Sequence, residues 1–178
     1  MNRKRIKSIL FLSLLIMSLV ILAACGGSQK RPDLLDGFVR FEAKTFEIQY
    51  HSDWSSNYSE AYDVETVTFT TSDSRDAVVV MTQEVDVDLT QLKEEILGDI
   101  IDGFGLYEDE VNVERIALNG VDFYKFSYVL VGFGIEVETV EITGVKDGIM
   151  TTIALTNMSG REETREVFNQ MIETFVFI

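Results

Sequence analysis

Cysteine, proline and histidine each occur once in 178 residues, and 15 basic residues face 30 acidic ones. A single cysteine excludes a disulfide framework and a cysteine-rich zinc site. A single histidine excludes a two-histidine metal centre or a His-rich catalytic cluster within one chain. The shortage of Lys and Arg argues against nucleic acid as a partner, because phosphate backbones repel a surface of this sign. Apolar residues are plentiful: 46% of the chain is hydrophobic, which excludes global disorder. The length suits one domain with a short appendage.

The appendage is N-terminal. Asn2-Arg3-Lys4-Arg5-Ile6-Lys7 is a basic head, and Ile9 to Leu22 is an apolar run broken only by Ser13 and Ser18. That run fits the core of a signal peptide and falls short of the roughly 20 residues that span a bilayer. It ends in Leu22-Ala23-Ala24-Cys25, followed by Gly26-Gly27-Ser28. This order resembles the lipobox of bacterial lipoproteins. The resemblance implies cleavage after Ala24 and a diacylglyceryl group on the Cys25 sulfur. Removing residues 1–24 takes away four basic residues and no acid, so the formal charge of −15 becomes −19. A chain so acidic is repelled by anionic headgroups, and its hold on a membrane is expected through lipid on Cys25. Residues 25–37, with the only proline, Pro32, read as a flexible tether.

From Phe38 onward the hydrophobic period is mostly two. Phe46, Ile48 and Tyr50 alternate with Glu47 and Gln49; Thr66 to Thr71 and Ala77 to Glu84 follow, the latter β-branched enough for a central strand. The period then changes to that of a helix, with Leu92, Ile96, Ile100 and Phe104 on one face, Asp88 as N-cap with Gln91, and Gly103 or Gly105 as terminator. Val111 to Leu118 and Val121 to Leu130 flank Asn119-Gly120, the strongest two-residue hairpin signal. Ile135 to Thr143 and Ile149 to Leu155 complete a second block of strands. Ser159 and Glu162 have the spacing of a capping box for a last helix with Val167, Phe168, Met171, Ile172 and Phe175 inward. Four strands, a helix, four strands and a helix predict an α+β domain, an antiparallel sheet flanked by helices.

The stretch Phe46-Glu-Ile-Gln-Tyr50-His51-Ser-Asp-Trp54 resembles the opening of the Mog1/PsbP-like superfamily, in which a strand ends in Tyr-Pro followed shortly by Trp. The middle helix, the Asn119-Gly120 hairpin and the closing Glu173-Thr-Phe-Val-Phe-Ile178 fit that layout over residues 38–178. His51 stands where the family usually has proline. The resemblance implies an α/β/α sandwich. Members of the family share a scaffold rather than a reaction: a photosystem assembly subunit, a nuclear-transport GTPase partner and bacterial envelope lipoproteins.

The residues that bear chemistry are sparse. His51 would need a nucleophile and an orienting acid, and the neighbouring Ser52, Asp53 and Ser56 carry no nucleophile-elbow or Ser-x-x-Lys spacing. Glu84, Asp86 and Asp88 sit two apart near a strand end, a solvated edge that would attract divalent cations only weakly. Glu108-Asp109-Glu110 reads as a solvated loop. Tyr50 and Trp54 could seal a core or present a ligand or partner surface. The expectation is therefore a non-enzyme without cofactor or metal, lipid-anchored in the cell envelope (a Gram-positive outer face is preferred), which binds a protein partner or assists assembly. A small-ligand carrier or sensor is the alternative.

Overall fold

The computed structural model describes residues 31–132 and 134–178. The expected signal peptide (residues 1–24), the expected lipidation site Cys25 and residues 26–30 of the expected tether lie outside them. In chain order the strands are β1 (Phe38–Glu42), β2 (Phe46–His51), β3 (Ser55–Ala61), β4 (Val64–Thr70) and β5 (Asp76–Glu84). Helix α1 (Leu89–Phe104) and a 3-10 turn (Glu108–Glu110) come next. Then follow β6 (Asn112–Leu118), β7 (Val121–Gly132), β8 (Ile135–Lys146), β9 (Ile149–Asn157), α2 (Glu162–Glu173) and β10 (Val176–Phe177). The strands form a seven-stranded sheet in the order β3-β4-β5-β9-β8-β7-β6 and a three-stranded sheet in the order β1-β2-β10. Every pairing among the described residues is antiparallel.

Alternation places two cores on the two faces of the large sheet. Val67 and Phe69 of β4, Val78 and Val80 of β5, Ile142 of β8 and Ile153 of β9 are fully buried on one face. The small sheet covers them with Phe46 and Ile48, and α2 with Phe168 and Met171. On the other face Leu97 and Ile100 of α1 cover Phe126 and Tyr128 of β7. Each such side chain contributes about 1.5–3 kcal/mol by leaving water. The expected helix on each face is present. One face, however, is shared between α2 and the small sheet, so the domain is richer in sheet than a helix-covered sandwich.

Local signals explain most element ends. Asp88 caps α1, its Oδ1 accepting from Thr90 N (2.8 Å) and Gln91 N (2.9 Å), while Gln91 Oε1 accepts from Asp88 N at 3.2 Å. Gly105 ends the helix in the left-handed conformation, φ 68°. Asn119 and Gly120 both have positive φ, 49° and 81°, as a type I′ turn requires.

Four expectations need correction. β3 is an additional strand, exposed along its whole length. Short β10 closes the small sheet. Helix α2 starts one residue after Arg161, and Ser159 does not cap it: the Ser159 hydroxyl is taken up by Asp76 and Asn157. Finally, the segment from Arg31 is bound to the domain. Gln49 accepts from Leu35 N at 2.8 Å and donates to Asp33 O at 2.9 Å. Buried Glu47 lies 2.6 Å from Arg31 Nε and 3.0 Å from Arg40 Nε. Glu47 and Gln49 point away from the core, and this strap of chain is what buries them.

Candidate functional site

Two buried carboxylates fix the layers. Asp76, at the start of β5, accepts from Ser159 N (2.9 Å), Ser159 Oγ (2.6 Å) and Thr164 Oγ1 (2.8 Å). Burial raises its pKa, but the Ser159 and Thr164 donors and the Arg161 charge outweigh it and hold the carboxyl below its ordinary range. Glu65 of β4 accepts from Lys44 N (3.0 Å), Thr45 Oγ1 (2.5 Å) and Tyr58 Oη (2.9 Å). Against burial, these donors and Thr82 lower its pKa too. Burial and the Glu65 contact push Tyr58 up to about 12. Neutral donors surround both acids closely, an arrangement that locks elements together.

The residues singled out by sequence fall into separate places. His51 Nδ1 accepts from Asp53 N at 3.3 Å, and its ring meets Phe38 edge-on at 5.6 Å. The Ser56 hydroxyl lies 3.3 Å from Tyr50 Oη. Tyr50 packs on Phe69 with ring centroids 4.6 Å apart. Trp54 is half-buried against the main core, at the rim of a cleft of about 120 Å³ that it shares with His51, Asp53 and Arg161. Glu84 ends β5, Asp86 lies in the following connection and Asp88 is spent on the helix cap. Among the described residues no three His, Cys, Asp or Glu side chains are grouped to hold a metal ion.

The large exposed apolar surface lies elsewhere. The β7–β8 hairpin outruns the sheet: β6 pairs only as far as Ser127 and β9 only as far as Glu138, so Leu130↔Val137, Val131↔Glu136 and Gly132↔Ile135 pair with each other alone. Three residues of overhang amount to about 10 Å. Beside it stand Phe104 (53% exposed) at the end of α1 and Tyr107 (74%) in the connection after it, and the hairpin presents Val129, Val131 (75%) and Ile135. With Met158 they line a groove of about 650 Å³. Neither composition nor motif pointed here. The available signal was Val129-Leu130-Val131, which breaks the period of two and makes a hairpin tip apolar on both faces. No helix among the described residues is long and apolar enough to cross a membrane.

No family model matches the sequence, and no curated protein matches it. Solved structures are similar to it. The cyanobacterial PsbP (CyanoP) of Synechocystis superposes with a TM-score of 0.60 at 18% identity, covering 86% of this chain and 97% of that one. A protein of Bacteroides thetaiotaomicron gives 0.52 at 14% identity, over 75% of this chain and 45% of that one. LpqN, involved in cell envelope biogenesis of Mycobacterium tuberculosis, gives 0.46 at 9% identity, over 82% and 80%. Likeness at such identities speaks for architecture and not activity. The chain from Arg31 onward has a PsbP-like fold.

Proposed function

We propose that this chain is an exported envelope lipoprotein, held to the membrane through Cys25, whose PsbP-like domain is a non-catalytic binding module for another protein. The observation that carries partner binding is the cluster of Phe104, Tyr107, Val129, Val131, Ile135 and Met158 around one groove. Apolar side chains gathered at one end cost solubility and mark interaction surfaces, whereas scattered ones need no explanation. Anchoring rests on the order basic head, short apolar run, Leu22-Ala23-Ala24-Cys25. Two or more acyl chains hold a protein stably on a bilayer, and the acidic domain would stand off from the lipid surface.

The test places a photo-crosslinking residue at Val131 of the full chain in its own cells. A discrete protein adduct in the membrane fraction is expected, lost when Ile135→Asp is added and absent when the probe sits at exposed Glu163. Cys25→Ser should leave unprocessed precursor or release the protein from the membrane. Membrane-held, acylated Cys25→Ser protein would overturn the anchoring half. A Val131 probe that captures no protein would overturn the binding half.

A further inference from the structure

A second groove, of about 520 Å³, lies between α1 and the large sheet, and shares only Phe104 with the apolar end. Its size is that of a small-molecule site. The apolar lining includes Met81 of β5, Met150 of β9, and Leu92, Ile96 and Ile100 of α1, of which Leu92, Ile100 and Met150 are buried. Every charged side chain that lines it is acidic. Asp86 enters from the connection before α1, Glu95 and Asp99 stand one turn apart on the helix, and Glu141 rises from β8. Glu141 is half-buried, with one oxygen held by the Tyr128 hydroxyl. None of the ion pairs among the described residues involves any of these four; several basic residues pair with other acids, for example Arg165 with Glu138 and Arg115 with Asp122.

That arrangement gathers four acids around one groove, three exposed and Glu141 half-buried, with no cation paired to them. A half-buried carboxylate without a counter-charge is disfavoured by lost solvation, and like charges four residues apart weaken a helix. A compact metal ion would not relieve them well, because it needs converging oxygens and would leave the apolar floor unused. We propose that this groove binds a small amphipathic organic cation: an amine or guanidinium group carried on an aliphatic body. The charged head meets Glu141, Glu95 and Asp99, and the body lies over Met81, Ile96 and Met150. The coincidence of a ligand-sized groove, an apolar floor and a half-buried Glu141 with no cation paired to it carries the inference. It uses none of the overhanging tip of the β7–β8 hairpin and shares only Phe104 with the partner-binding surface.

The test is calorimetric titration of the full chain in neutral detergent at about 150 mM salt, where diffuse surface attraction is screened. The probe is 1,8-diaminooctane; 1,8-octanediol supplies the same body without charge, and magnesium supplies charge without a body. A saturable one-to-one isotherm is expected for the diamine alone. It should weaken at least about tenfold in Glu95→Gln with Asp99→Asn, and again in Glu141→Gln. Glu163→Gln with Glu166→Gln, which removes the same charge from α2, should leave it unchanged. The inference is overturned if the diamine does not saturate, if magnesium competes as well as the diamine binds, or if the groove and α2 variants respond alike.

Discussion

Gly144 of β8 stands opposite Phe123 of β7, and the aromatic ring lies where a side chain would be. A Cβ built on Gly144 would come within 2.5–2.7 Å of three ring atoms. Phe123 has nowhere easy to go, since it is fully buried and meets Phe175 edge-on at 6.1 Å and Phe177 nearly stacked at 6.1 Å. Gly144→Ala should therefore destabilise by about 1–3 kcal/mol through overpacking, although alanine suits a strand better than glycine does. Chemical denaturation of Gly144→Ala beside Phe123→Leu with Gly144→Ala would check this: the smaller residue at position 123 should recover part of the loss. The sequence pattern ends the strand at Thr143, one residue before Gly144, whereas β8 runs on to Lys146, and a glycine inside a strand marks a bulge or a close approach. Only the register, Phe123 against Gly144, decides which.

Hairpins show where element-level reading succeeds and where it stops. Asn119-Gly120 is legible because it pairs a left-handed-tolerant residue with glycine; Asp147-Gly148 repeats the pairing between β8 and β9, and both turns have positive φ at both positions. Asn119 does more than turn the chain: its Nδ2 donates to Phe175 O at 2.6 Å and so holds the segment that leads into β10. The β3–β4 turn has the same geometry without the signal. Tyr62 and Asp63 sit at φ 53° and 62° between the paired Ala61 and Val64. With a polar, wholly exposed strand before it, nothing in the local pattern announced this hairpin. Tyr62→Asn with Asp63→Gly should relieve strain and raise stability by about 1–2 kcal/mol, since Tyr62 is fully exposed and loses no packing. Thermal melts that show no gain would mean the turn is stabilised by contacts that the backbone angles do not reveal.

At the scale of the whole molecule, burial periodicity made the two sheet faces and both helices readable, because alternation and the 3.6 period are direct consequences of one-sided burial. The candidate surface was not readable, because it depends on where neighbouring strands stop rather than on any motif. Nor were buried Glu65 and Asp76, although they pin the layers. Glu65 ties the small sheet to β4 through Lys44 and Thr45, and Asp76 ties α2 and the end of β9 to β5 through Thr164 and Ser159. Both carboxyls are held below their ordinary pKa, so the fold favours their ionised forms. A depressed folded pKa contributes stability that is full above the unfolded value of about 4 and lost as pH falls through the lower folded value. Glu65→Gln and Asp76→Asn should each cost about 1–3 kcal/mol near neutral pH, the loss of a charge-assisted buried bond. The gap between wild type and each variant should stay constant from about pH 8 to 5 and close below about pH 4. Their double variant should be additive, since the two acids share no partner in the structure. Urea unfolding across that pH range measures all three statements. A gap that persists undiminished at about pH 2 would show that these carboxylates act through shape and packing, not through charge.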